Sequence, residues 1–223
     1  MPNKNNVLVI GDTHIPFEKE GYLDFCKATK KRFNCTTVIH IGDLVDNHAC
    51  SYHEHDPNGQ SPSDEMKLAK EKLKDWFKAF PKVRVCKGNH DVLIARKAIT
   101  YGLPREVLRP FDEIWKLPKN WQYEWSFTID GVKYEHGTGY SGKYPNASAC
   151  FTNRQSTVIG HLHSVAGTYW TASEKDIIFG LSTGCGIDRM KYAFWYSKDF
   201  QRKPIIGCGV VTNNGRDARF VSM

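Results

Sequence analysis

The chain has no hydrophobic run approaching the ~20 residues that cross a bilayer as a helix, so no membrane partner is expected. Its first residues, Met1-Pro2-Asn3-Lys4-Asn5-Asn6, are polar where a secretory leader would carry an apolar core. Cysteine occurs seven times, an odd number, and never as Cys-x-x-Cys. That argues against a thiolate zinc site or a disulfide framework and for a reducing, cytoplasmic setting. Cys26, Cys35, Cys50, Cys86, Cys150, Cys185 and Cys208 are read instead as mostly small buried apolar residues. Internal repeats, low-complexity tracts and linkers are also missing. A length of 223 residues suffices for one full core, so a single domain over residues 1–223 is expected.

What the chain does carry is positive charge and a series of short apolar runs that end in polar clusters. A formal net charge of +7 favours anionic partners such as nucleic acid or nucleotides. Val7–Ile10 runs into Gly11-Asp12-Thr13-His14, Thr36–Ile41 into Gly42-Asp43-Leu44-Val45-Asp46-Asn47, and Val83–Cys86 into Lys87-Gly88-Asn89-His90-Asp91. Each run reads as a buried strand. His40, inside the second, is expected in the core or behind the site rather than as a ligand. Helices are expected over Glu18–Lys31, from a cap at Ser63 to a stop at Pro81, and over Val92–Ile99. On the second of these, Met66, Ala69, Leu73, Trp76, Phe77 and Phe80 form the apolar stripe and Lys67, Lys70, Lys74 and Lys78 the solvated face.

Between His48 and Asp64 lies a polar loop holding His48, His53 and His55 beside Glu54 and Asp56. A solvated loop beside a cleft is the preferred reading, ahead of a further metal site. Beyond Pro104 the pattern turns to strand. Tyr123–Ile129 and Val132–Glu135 read as a hairpin about Asp130-Gly131, delivering His136-Gly137; Ser156–Ile159 delivers Gly160-His161-Leu162-His163. Further strands are expected at 165–170, 176–182, 204–211 and 216–221. Trp115, Trp121 and Trp125 are open between core packing and base stacking.

Polar groups at the carboxyl ends of strands in layered folds gather on one edge. Carboxylate, amide and imidazole donors suit Mn²⁺, Fe or Zn²⁺ and suit neither Ca²⁺ nor a thiolate site. Seven such ligands exceed one ion's needs; two ions sharing one carboxylate use them economically.

Asp-x-His, Gly-Asp, Gly-Asn-His-Asp, His-Gly and Gly-His-x-His, in that order over residues 7–163, resemble the calcineurin-like metallophosphoesterase superfamily. The resemblance implies an α/β fold with two mixed β-sheets in a sandwich flanked by helices. It implies two divalent metal ions, Mn²⁺ first, with Zn²⁺, Fe or Ni²⁺ as alternatives. Asp12, His14 and His163 would hold one ion, Asn89, His136 and His161 the other, and Asp43 would bridge them. A hydroxide between the ions would attack phosphorus, and His90 would protonate the leaving oxygen or steady the phosphoryl charge. Asp91 would orient His90 or lie behind the ligands. Asn47 stands where the protein serine/threonine phosphatases carry Arg, and the first motifs lack the Tyr ligand of purple acid phosphatases. The region around Gly42–Asp46 is similar to that of small phosphoesterases borne by phages. A phosphodiesterase acting on nucleic acid or a nucleotide is the first expectation. A phosphomonoesterase of a nucleotide or small metabolite is the second, and a non-catalytic scaffold the third.

Overall fold

The computed structural model describes residues 5–52, 56 and 59–223. His53, Glu54 and His55 of the polar loop therefore lie outside the described residues, as do Met1–Lys4. Among the described residues, eleven strands form two sheets. The first has β1 (Val7–Ile10), β2 (Thr37–His40), β3 (Val83–Cys86) and β4 (Trp121–Glu124) as parallel neighbours in that order. Against β1, β10 (Gly207–Thr212) and β11 (Asp217–Ser222) are added antiparallel. The second sheet runs β5 (Ser126–Ile129), β6 (Val132–Glu135), β7 (Thr157–Ile159), β9 (Ile177–Thr183), β8 (Ala166–Ala172), with β6, β7 and β9 parallel.

β1 is apolar at every position because it is covered on both faces. Alternate side chains take opposite sides. Leu8 and Ile10 pack with Tyr22, Cys26, Leu73 and Trp76 of α1 (Tyr22–Arg32) and α2 (Pro62–Ala79). Val7 and Val9 face Tyr134, Val158, Phe179 and Leu181 of the second sheet. Each such side chain, wholly buried, contributes about 1.5–3 kcal/mol relative to exposure. Behind the second sheet lies α5 (Pro145–Asn153), whose Asn146 amide donates to the carbonyls of Gly167 and Gly180. The expected sandwich of two mixed sheets flanked by helices is the fold.

Several local expectations are corrected. The cap of α2 is Ser61, not Ser63: its side chain accepts from the Asp64 N–H, and Pro62 takes the first helical position. Tyr123 and Glu124 belong to β4 of the first sheet. The chain breaks at Trp125 and enters the second sheet at Ser126, so the hairpin is β5–β6 alone. α5 and the short α4 (Phe111–Trp115) fall where no helix was expected. α3 spans Leu93–Thr100. Trp115 and Trp121 are core residues, whereas Trp125 is 65% exposed. All seven cysteines are free, and all but the half-buried Cys50 are buried.

Candidate metal centre

The parallel strands of both sheets end on one edge. Gly11–His14 follows β1, Gly42–Asn47 follows β2, Lys87–Asp91 follows β3, His136 follows β6 and His161–His163 follows β7. The loops are stitched together by the backbone: Thr13 and His14 N–H groups donate to the Asp43 carbonyl at 3.1 and 2.9 Å, and Gly160 N–H to the His136 carbonyl at 3.0 Å. Four residues turn the chain there in the left-handed region, His14 (φ 48°), Asp43 (φ 48°), Asn47 (φ 54°) and His161 (φ 65°). For residues bearing a Cβ this conformation costs about 1–2 kcal/mol each and persists where the surroundings over-determine it. Gly88 and Gly160 have a different reason to be glycine. A Cβ on Gly88 would stand 2.1 Å from Asp43 Oδ1, and one on Gly160 would stand 2.2 Å from Asp12 Oδ1. Bare backbone is what lets these carboxylates reach the His90 N–H (2.8 Å) and the His161 N–H (2.8 Å).

Three groups of side chains come within metal-sharing distance: Asp12, His14 and His163; His14, Asp43 and His90; and Asp43, His136 and His161. Asn89 joins the last, its Oδ1 2.9 Å from His136 Nε2. All seven expected ligands are thus gathered. Asp43 stands between the two sets, with Oδ2 at 3.5 Å from His14 Nε2 and 3.2 Å from His136 Nε2.

The donor set has a surplus of lone pairs pointing at one another. His136 Nδ1 donates to the Ile41 carbonyl (3.2 Å), so Nε2 presents a lone pair to Asp43 Oδ2 and Asn89 Oδ1, themselves acceptors. His14 Nδ1 lies 2.5 Å from Asp46 Oδ1, which leaves its Nε2 facing His163 Nε2 at 3.2 Å. Asp12 Oδ1 is buried with no hydrogen-bond partner among the described residues. Converging acceptors of this kind call for protons or cations between them, and the residues fit two divalent ions.

Protons reveal the same need. Burial pushes the His14 pKa down, yet Asp43 and Asp46 outweigh it and hold it well above the ordinary value. His136, likewise opposed by burial, is raised to about 9 by Asp43 and Asp12. Burial and the neighbouring His136 lower His161 to about 4. His163 is also lowered, first by burial. His40 is neutral, held down to about 3 by burial. Gly42 N–H donates to its Nδ1 and Thr13 Oγ1, which donates onward to the Leu44 carbonyl, accepts from its Nε2. It supports the loops, as expected.

For Asp91 the expectation is a place beside His90 or one behind the ligands. Asp91 does not touch His90; its oxygens accept from the Gly88 N–H (2.9 Å) and the Val45 N–H (3.2 Å), tying the β2 and β3 loops together. The partner of His90 is Asp46, whose carbonyl accepts from Nδ1 at 2.7 Å and whose Oδ1 lies 3.3 Å away. Asp46 thus orients both His14 and His90. It was overlooked in a loop where Asp43 already supplied the motif; its signal was the second carboxylate of Gly-Asp-x-x-Asp. Asn47, in place of Arg, donates to the His90 carbonyl at 2.9 Å. His48, read as part of a solvated loop, is buried against the rings of Phe17 and Tyr192.

Above these groups lies a cavity of about 280 Å³, walled by Phe194, Tyr196, Phe200 and Arg202 from the segment after β9. The fold is an α/β sandwich, and this edge carries a candidate two-metal centre. The sequence profile of the calcineurin-like phosphoesterases matches residues 6–201, and the chain belongs to that family. No curated protein sequence matches the chain. Among solved structures, the metallophosphoesterase from Sphaerobacter thermophilus is similar, with a TM-score of 0.50 and 15% identity, over 99% of this chain and 88% of that one. So are an archaeal phosphodiesterase (TM-score 0.49, 12% identity, 98% and 99% covered) and Vacuolar Protein Sorting 29 from Cryptosporidium parvum (0.49, 13%, 96% and 88%). Among the described residues, no helix is long and apolar enough to cross a membrane.

Proposed function

We propose that the chain is a dinuclear-metal-dependent phosphodiesterase acting on nucleic acid or nucleotides. The observation that carries this is Asp43 Oδ2 standing between His14 Nε2 and His136 Nε2, the position of a shared ligand between two cation sites. Asp12, His14 and His163 would hold one ion and Asn89, His136 and His161 the other, with Mn²⁺ as the expected metal. Such ions, when bound, polarise phosphoryl oxygens and lower the pKa of water toward neutrality. Held through Nδ1 by the Asp46 carbonyl, His90 keeps its Nε2 for the leaving oxygen, to which it delivers a proton. Arg202, on the cavity wall, contributes the guanidinium that Asn47 does not, and pairs with a non-bridging phosphate oxygen. Phe194, Tyr196 and Phe200 give the departing group an aromatic surface, which suits a nucleoside. With the net charge of +7, these features favour a diester of nucleic-acid type.

The test is hydrolysis of bis(p-nitrophenyl) phosphate against p-nitrophenyl phosphate, with Mn²⁺ and with chelator. Preferential, Mn²⁺-dependent cleavage of the diester is expected. Faster cleavage of the monoester would replace this reading with a phosphomonoesterase. Absence of both in folded, metal-loaded protein would replace it with a scaffold.

A further inference from the structure

A second cavity, of about 730 Å³, lies on the far side of the Lys87–Asp91 segment from the metal centre. Lys87 and Asp91 line this cavity, while Asn89 and His90 line the other, so the segment is a shared partition. The volume falls within the ~300–1,000 Å³ of small-molecule sites. Apolar side chains of α3 and α4, including Ile94 and Ile114, make its body.

Two features say what fits there. The first is charge: Lys70, Arg105, Arg109 and Lys116 line the cavity and, among the described residues, make no ion pair. The acidic lining is Glu113 and the buried Asp91, whose oxygens are already committed to backbone N–H groups. The second is aromatic surface. Phe111 and Tyr123 stack at 4.1 Å and 12°, Trp125 is 65% exposed, and Lys87 Nζ lies 5.0 and 5.6 Å from the Tyr123 and Trp125 rings. Trp115 Nε1 and the Tyr123 hydroxyl are buried without a hydrogen-bond partner among the described residues. Rings that stack, donors in need of acceptors, and unpaired cations at the rim match a heteroaromatic base joined to a phosphate better than an alkyl anion.

We propose that this cavity is a nucleotide-binding site separate from the metal centre, taking the base among Phe111, Tyr123 and Trp125 and the phosphate at Arg105 and Arg109. It does not require that the metal centre hydrolyse anything.

Isothermal titration of the full chain with AMP tests it, with Mn²⁺ present and again with chelator to silence the metal centre. Ribose 5-phosphate, an oligodeoxyadenylate and anilinonaphthalene sulfonate are titrated alongside. The expected result is one saturable AMP site that persists in chelator, with ribose 5-phosphate about tenfold weaker or worse for want of the base. Tighter binding of the oligonucleotide would assign the site to a strand end, and equal binding to the free nucleotide. R105S/R109S, on the exposed rim, and A95W, which fills the cavity from α3, should each weaken AMP about tenfold or more. Neither should change Mn²⁺-dependent diester cleavage or the far-ultraviolet dichroism. AMP binding lost with chelator, or untouched by R105S/R109S in folded protein, would overturn the proposal. Binding of the sulfonate dye without any of AMP would overturn the nucleotide assignment.

Discussion

Replacing Asp46 by Asn isolates the carboxylate behind the proposed metal ligands. In the native chain Asp46 Oδ1 holds His14 Nδ1 at 2.5 Å, which fixes the tautomer and aims Nε2 at the site. The amide still offers an oxygen but no charge. A hydrogen bond to an ionised group contributes about 1.5–3 kcal/mol and a neutral one about 0.5–1.5, so the loss is about 1.4 kcal/mol, or tenfold. His90 is spared most of the effect, because its shorter bond, 2.7 Å, is to the Asp46 backbone carbonyl. D46N should therefore raise the Mn²⁺ concentration for half-maximal diester hydrolysis about tenfold, while kcat at saturating metal changes little. D46A removes the acceptor altogether and should raise it about 100-fold. D91N is the contrast: Asp91 braces the Gly88 and Val45 N–H groups, so it should lower the unfolding midpoint without moving the Mn²⁺ dependence. Metal titrations of hydrolysis with all three variants decide the matter. An unchanged half-saturation in both D46N and D46A would refute the role given to Asp46.

H90A should lower kcat by about 10²–10⁴-fold and leave metal binding intact, measured by hydrolysis and metal content on the same sample; unchanged activity would remove His90 from the proton transfer. G88A puts a methyl 2.1 Å from Asp43 Oδ1, so it should destabilise the fold by about 1–3 kcal/mol in urea unfolding and impair metal loading; wild-type values in both would show that the loop has room. Glu65 is buried, and burial first and Asp46 second raise its carboxyl from 4.5 to about 7. Folded Glu65 keeps its proton where the unfolded chain releases it, so its contribution is full below about pH 4.5 and is lost as pH rises through about 7. E65Q has no such titration. Wild-type stability relative to E65Q should fall across that window by about 3 kcal/mol, and a flat difference would contradict the raised pKa.

The candidate metal ligands were legible because each lies within a few residues of the end of a short apolar run. A buried strand must end where its polar groups begin, and that boundary survives in a linear pattern. Asp46 was not legible, since its partner His14 is thirty-two positions away and only the turn of the β2 loop aims it there. α5 escaped notice because its contact face is built from small residues, Ala147, Ala149 and Cys150, packed close to the sheet. Gly180 shows how close: a Cβ there would stand 1.9 Å from the Asn146 carbonyl oxygen. Tyr123–Ile129 read as one strand because alternation continues through Trp125. The change of sheet at that residue is a tertiary event with no periodic mark. Ser61 and Ser63 both suit a cap, and the choice of Ser61 follows from Pro62, whose fixed φ opens a helix.

The most direct test is to titrate the metal-free chain with Mn²⁺ and follow bound ions and bis(p-nitrophenyl) phosphate hydrolysis in the same samples. Two ions per chain, with hydrolysis appearing as the second binds, is the expected result. Full hydrolysis in chelator, saturation at one ion, or no hydrolysis with two ions bound would contradict the two-ion diesterase centred on Asp43.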